Sequence, residues 1–326
     1  MTALLTVEGL RLGFRTDHGL ARVLDGVDLA IEPGRVMGLV GESGCGKTTL
    51  ARAILGVLPR TSTVVEGGAI RFQGRDMLAD DPAIARDVRG RRVTFVPQDP
   101  FQSLNPLFTI GTQVADLQRW KSPHRDRPRR ERIAADAADL TEVLAAVQLP
   151  PTDQLLPKYP HQLSGGQRQR LMIAMALLPA PDLIVADEPT TALDVSIQEQ
   201  VLFVLKRLTR ARGVAVLLTT HDLGVAWELC HAITVMYAGQ IVEQAPVERF
   251  FAAPRHPYTR ALLASRPTGR GLPAGIPGEV PAPTAPPGGC RFHPRCAEAV
   301  AACAASRPGP SHTAPAQRVH CHRIAA

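Results

Sequence analysis

Lys47 and Thr48 close the run Gly41-Glu42-Ser43-Gly44-Cys45-Gly46-Lys47-Thr48, whose glycine spacing lets a backbone wrap around a phosphate chain. Successive N–H groups then face the anion, the Lys47 ammonium neutralises the terminal phosphates, and the Thr48 hydroxyl is available to magnesium. Two adjacent acids, Asp187 and Glu188, offer the complementary chemistry. One can complete a magnesium shell while the other positions and polarises an attacking water. A third group, Leu163-Ser164-Gly165-Gly166-Gln167, again pairs bare glycine amides with a hydroxyl.

These residues need particular elements to aim them. The apolar run Val36–Val40 reads as a strand leading into the glycine turn, and Leu50–Leu58 continues as a helix. Leu183–Asp187 reads as a second apolar strand; neighbouring residues at its end point to opposite faces, which separates the tasks of Asp187 and Glu188. In Gln167–Leu178 the apolar residues Leu171, Met172, Met175 and Leu178 recur at helical spacing, with Ser164 where a cap belongs. The chain thus carries two anion-binding helix starts. One triphosphate does not easily use both, so two copies facing each other are the natural arrangement.

Together these blocks resemble the nucleotide-binding subunit of an ATP-binding cassette (ABC) transporter, over roughly residues 4–250. The resemblance implies a RecA-like α/β P-loop fold with a mixed sheet, ATP and Mg2+ as ligands, and ATP hydrolysis coupled to transport. It makes Gly41, Ser43, Gly44, Cys45, Gly46, Lys47, Thr48 and Thr49 the Walker A nucleotide contacts. Gln98 becomes the Q-loop residue, Ser164, Gly165, Gly166 and Gln167 the signature, and Asp187 the end of Walker B. Glu188 falls on the catalytic glutamate, Ala192-Leu193-Asp194 on the D-loop, His221 on the switch histidine, and Phe14 on the aromatic that stacks against adenine. Catalysis is thereby assigned to Glu188, His221, Gln98 and Lys47, and magnesium to Thr48, Gln98 and Asp187. Ser164 and Gly166 would touch the γ-phosphate bound by the partner subunit.

At 326 residues with 45% apolar content, the chain allows one large domain and an appendage. No apolar run approaches the ~18 residues of a membrane span, and Met1–Gly9 lacks the regions of a signal peptide. The expected place is the cytoplasmic face of a membrane, reached through partners. By resemblance, the cassette occupies residues 2–254. A helical subdomain at about 99–162 interrupts it and would receive a coupling helix from a membrane subunit. There Ile133, Ala137, Leu140, Leu144 and Val147 form an amphipathic repeat, while the arginine-rich run Lys121–Arg132 reads as a solvated helix start or loop.

Residues 255–326 differ sharply. They hold nine arginines against Glu279 and Glu298, which accounts for the whole formal charge of +7. Clustered prolines, among them Pro281, Pro283, Pro286 and Pro287, oppose regular structure. The entry Phe250–Leu263 and the segment Gln98–Pro106 closely resemble oligopeptide, dipeptide and nickel importers. That kinship makes peptides the leading cargo, with nickel or another small solute as the alternative. It also implies a second, sibling ATPase subunit, two permease subunits and an extracytoplasmic binding protein.

Cys290, Cys296, Cys303 and Cys321 are separated by five, six and seventeen residues, without the tight pairs usual for structural zinc. Three states are open: a [4Fe-4S] cluster, which related importers carry here, a zinc site that includes His320 or His322, and free thiols. For a cluster, Arg291, Arg295 and Arg323 would offset the anionic charge. A basic tail also raises the rival of a nucleic-acid-associated ABC ATPase. Against it, the only aromatics of the tail are Tyr258 and Phe292, too few for base stacking. No nucleic-acid partner is therefore expected.

Overall fold

The computed structural model describes residues 3–190, 195–265 and 275–324. It divides into two compact units, one formed by Met1–Glu32, Val36–Leu78 and Leu218–Ala326, the other by Pro33–Arg35 and Ala79–Leu217. The division falls elsewhere than the boundaries expected from the sequence. The tail does not stand apart but belongs to the first unit.

The first unit opens with the antiparallel pair β1 (Leu5–Thr16) and β2 (Gly19–Ile31), in register from Leu5 opposite Ile31 to Thr16 opposite Gly19. Leu5, Val7, Leu10 and Leu12 are buried, and a register shift between Val7 and Leu10, with Gly9 at φ 56°, keeps Leu10 on the inner face. Next come β3 (Val36–Val40), α1 (Lys47–Leu55), β4 (Thr63–Phe72) and β5 (Arg75–Asp76); β4 pairs with β1 and β5 in a sheet ordered β2-β1-β4-β5. The helix α1 stops earlier than the apolar run suggests. Gly56 turns left-handed at φ 65°, and its N–H and that of Val57 satisfy the carbonyls of Ala53 and Arg52.

In the second unit, β6 (Val93–Val96) leads to α2 (Pro100–Ser103), α3 (Ile110–Lys121), α4 (Arg129–Ala146) and α5 (Thr152–Leu155). Then α6 (Gly165–Leu177), β7 (Leu183–Asp187) and α7 (Val195–Arg212) complete it. β6 runs parallel to β7 from Val93 opposite Leu183, fixed at its start by the Arg92–Asp182 ion pair at 2.7 Å. In α4 the expected repeat holds at Leu140, Leu144 and Val147, which are buried, but Ile133 is 55% exposed. The N-terminal half of that helix is held by polar contacts instead. Ser122 Oγ donates to the buried Asp136 carboxylate at 2.6 Å and Gln118 Nε2 to the Asp136 carbonyl at 2.7 Å. Part of the arginine-rich run is ion-paired rather than solvated, Arg125 reaching Asp87 at 2.9 Å.

The strand β8 (Ala215–Thr220) carries the chain back into the first unit, followed by α8 (Leu223–Leu229), β9 (Ala232–Tyr237), β10 (Gln240–Pro246), α9 (Val247–Ala252) and α10 (Pro257–Ala264). Residues 275–292 are irregular, as their prolines require. Beyond them, α11 (Ala301–Ala305), β11 (Pro310–Ala314) and β12 (Gln317–His320) restore regular structure that the composition did not suggest. β12 pairs with β10 at Glu243–Val319, giving the order β11-β12-β10-β9-β3 within this unit.

Candidate functional site

In the first unit, β3 is apolar on both faces and pairs in parallel with β9, Met37 opposite Ala232 through Val40 opposite Val235. It delivers Gly41 where a Cβ atom would lie 2.1 Å from the Met236 carbonyl oxygen, so only glycine fits. Gly44 and Gly46 take φ of 78° and 111°, and Gly46 caps α1 without a side-chain bond. The first-turn amides of α1 thus meet no capping side chain, the condition for binding an anion there. Lys47 is 5% exposed and its Nζ donates to the carbonyls of Gly41 at 2.9 Å and Glu42 at 3.3 Å, folding the lysine back over the loop.

Ser43 and Gly44 are exposed, Thr48 and Thr49 half-buried. Cys45 is buried, and burial raises its thiol pKa against the pull of Lys47, so it packs as a neutral side chain beneath the loop. Phe14 lies half-buried on β1, opposite Ala21 and Thr63. His221 is exposed in the turn between β8 and α8. That turn is fixed by Asp222, which accepts from the amides of Gly224 at 2.7 Å and Val225 at 3.2 Å and donates its own N–H to Thr220 Oγ1 at 3.0 Å.

In the second unit, Asp187 ends β7 and is 3% exposed. Glu188 follows at φ 45°, a left-handed conformation costly for a branched-off side chain and frequent at functional sites. Gln98, exposed just after β6, donates from Nε2 to Glu188 Oε2 at 3.3 Å, so two of the expected catalytic residues meet. Ser164 caps α6 reciprocally with Gln167: Ser164 Oγ accepts the Gln167 N–H at 3.2 Å and Gln167 Oε1 accepts the Ser164 N–H at 3.1 Å. A Cβ atom built on Gly165 would lie 3.7 Å from the Phe101 ring, over which the Arg168 guanidinium stands at 4.2 Å. Ala192, Leu193 and Asp194 lie outside the described residues.

One expectation for the tail finds no support. Among the described residues, no three His, Cys, Asp or Glu side chains are grouped to hold a metal ion. Cys290, Cys296, Cys303 and Cys321 form no disulfide, and nothing in the grouping of their side chains supports the expected iron–sulfur or zinc site. The segments of Cys290 and Cys303 meet through the backbone, at 2.9 Å between N–H and carbonyl. Burial pushes the Cys290 thiol up to about 11, with Cys303, Cys321 and Cys296 adding to it, and raises Cys296 and Cys321 as well. His320 and His322 face the backbone carbonyls of Pro308 and Ser306.

Two of the three arginines expected to face the cysteines are engaged by carboxylates elsewhere in the unit. Arg291 pairs with Asp25 at 3.1 Å and reaches the Ala238 carbonyl, while Arg295 pairs with Glu42 of the phosphate loop at 2.8 Å. Glu42, Tyr258 and Arg295 are therefore loop neighbours that the sequence reading passed over. Nothing local to Tyr258 says that its hydroxyl reaches residue 42.

Residues 24–191 match the family described as ABC transporter, and residues 242–303 match the family described as oligopeptide/dipeptide transporter, C-terminal region. A protein of Sinorhizobium fredii called a probable peptide ABC transporter ATP-binding protein is 43% identical over 98% of this chain and 95% of its own length. A putative peptide import ATP-binding protein of Brucella ovis is 42% identical over 94% of this chain and 92% of its own. Among solved structures, the ATP-binding cassette MJ0796, in a dimeric post-hydrolysis state bound to ADP and Pi, superposes with a TM-score of 0.64 at 27% identity. It covers 74% of this chain and 98% of its own.

Proposed function

The chain belongs to the ABC transporter family, and on that premise we propose that it is the ATP-hydrolysing subunit powering peptide import through a membrane complex. The match of residues 242–303 to the C-terminal region of oligopeptide/dipeptide transporters carries the peptide reading. Similarity to named peptide-import proteins over nearly the whole chain supports it.

Within this reading, the residues of the phosphate loop fit a nucleotide. Uncapped amides of α1 and Lys47 bind the β- and γ-phosphates, and Phe14 offers its ring to the adenine. Thr48, Asp187 and Gln98 are the residues that would hold magnesium, which would supply positive charge against the terminal phosphates. Glu188 accepts a proton from the attacking water, oriented by Gln98, and its constrained backbone fixes the carboxylate direction. His221 holds the γ-phosphate. Ser164, Gly165, Gly166 and Gln167 complete the site bound by a second cassette.

Among the described residues no helix is long and apolar enough to cross a membrane. The chain acts from the cytoplasmic face, bound to two permease subunits, beside a sibling ATPase, with an extracytoplasmic binding protein delivering the peptide. A strain lacking the gene should lose uptake of labelled di- or oligopeptides. The wild-type gene should restore it and a Glu188→Gln version should not, while the purified variant still binds ATP. Undiminished peptide uptake, with nickel uptake lost instead, would transfer the function to the alternative cargo. Parental hydrolysis by Glu188→Gln would remove the assigned base.

A further inference from the structure

Within the first unit, the tail grips the phosphate loop at a single residue. Arg295, its side chain 4% exposed, makes a bidentate pair with Glu42, Nη1 to Oε2 at 2.8 Å and Nη2 to Oε1 at 3.1 Å. The same guanidinium donates to the carbonyls of Pro277 at 2.8 Å and Ile276 at 2.9 Å and to the Tyr237 hydroxyl at 3.3 Å. Its fork is thus anchored on three sides. The Glu42 N–H donates to the hydroxyl of the buried Tyr258 at 2.9 Å, and the Glu42 carbonyl accepts from Lys47 Nζ. Every polar group of Glu42 is held, two of the three by residues beyond the cassette. Tyr237, Tyr258 and Phe292 pack together at centroid distances of 4.6 to 5.2 Å and stiffen that support.

We propose that Arg295 is a positioning residue for nucleotide binding: by fixing and neutralising Glu42 it sets the loop backbone before ATP arrives and keeps a carboxylate from repelling the phosphates. The proposal rests on reading Gly41–Thr48 as the nucleotide loop. A loop ordered in advance loses less entropy on binding. An unpaired Glu42 carboxylate would add a like charge one residue from the glycine turn. Burial opposes the Arg295 charge, but the bonds to Glu42 and Tyr237 outweigh it and hold its pKa above the ordinary arginine value. The contribution falls on affinity, because Arg295 meets no group assigned to the attacking water.

The test uses the full chain and a fluorescent ATP analogue with magnesium, followed by steady-state hydrolysis. Arg295→Gln should weaken nucleotide binding about five- to tenfold with kcat within about twofold, as expected for lost preorganisation without altered chemistry. Arg295→Lys should recover most of that loss. Glu42→Gln added to Arg295→Gln should cause no further loss, since the two act as a pair. Arg307→Gln, which removes another tail arginine's bonds to the carbonyls of Asp25 and Gly26 on β2, serves as the control. Unchanged affinity in Arg295→Gln, an equal loss in Arg307→Gln, or independent multiplying effects of Arg295 and Glu42 would each overturn the proposal. If Arg295→Gln does not fold, Glu42→Gln tests the fixing of the loop alone, and unchanged affinity there would overturn the proposal. Lys47→Ala separates the two levels. Retained binding there would overturn the nucleotide-loop reading and this proposal with it; binding lost there and normal in Arg295→Gln would overturn the proposal alone.

Discussion

His256 is 1% exposed, its Nδ1 capping α10 by accepting the Tyr258 N–H at 3.0 Å. Burial, helped by the charges of His320 and Arg260, pushes its pKa down to about 3. An unfolded chain titrates that imidazole near ~6.5. Between these values the unfolded state binds a proton that the folded state refuses, so stability is full above about pH 6.5 and falls as pH drops toward 3. Where the window is fully open, the slope approaches about 1.4 kcal/mol per pH unit. His320, pushed down to about 4 chiefly by burial, adds in the same direction. His256→Asn keeps a capping acceptor and should flatten the slope measured by urea unfolding from pH 4 to 6. A slope equal to the parent's would contradict the buried neutral imidazole.

A helix start is judged by who satisfies its amides. At α6 the Ser164–Gln167 reciprocal cap does so within the chain, whereas at α1 the cap residue Gly46 has no side chain to contribute. Ser164 therefore has a structural task in its own right, and Ser164→Ala should cost about 1 kcal/mol of stability. The two roles of that serine can be separated. Aspartate is as good a cap as serine, so Ser164→Asp should unfold within about 0.5 kcal/mol of the parent, yet place a negative charge where a partner-bound γ-phosphate is expected. Hydrolysis by the assembled ATPase should then fall at least tenfold. Full hydrolysis by Ser164→Asp would contradict the anion-binding role. The same element-scale view explains Ile133: a helical repeat says which residues share a face, but only packing says how far along the helix that face is covered.

Across the first unit, the tail is joined to the cassette through Glu243, which has no exposed surface. Its carboxylate accepts the N–H groups of Arg255 at 3.0 Å and His256 at 2.9 Å and the Gln317 amide at 3.0 Å. Removing the acceptor would strand three donors in the interior at about 1–3 kcal/mol apiece before relaxation. Glu243→Ala should therefore lower unfolding stability by about 2–4 kcal/mol, and Glu243→Gln by less. A change below about 0.5 kcal/mol in denaturant titration would show that the tail is not locked by this residue. The location of the acid was readable; that it would be buried beneath the returning strand β12 was not.

The chemistry of this protein was legible in its sequence because that chemistry is local. Gly41–Thr48 must form a turn between strand and helix, Ser164 must cap α6, and Asp187 must end an apolar strand, since each outcome follows from neighbours within a few residues. Gln98 and Glu188 each drew a catalytic role from the resemblance, but their hydrogen bond spans 90 positions and depends on the parallel pairing of β6 with β7. Folding alone decided the rest. Four cysteines in a short stretch suggest a metal centre, but ligation depends on where thiols point, and among the described residues no three ligand side chains are grouped to hold an ion. Arg295 looked like a counter-ion for that centre and became an anchor for Glu42, 253 positions away. Spacing cannot encode such a contact: it arises only when β9, β10 and the returning tail are stacked together, and tertiary packing selects which arginine finds which carboxylate.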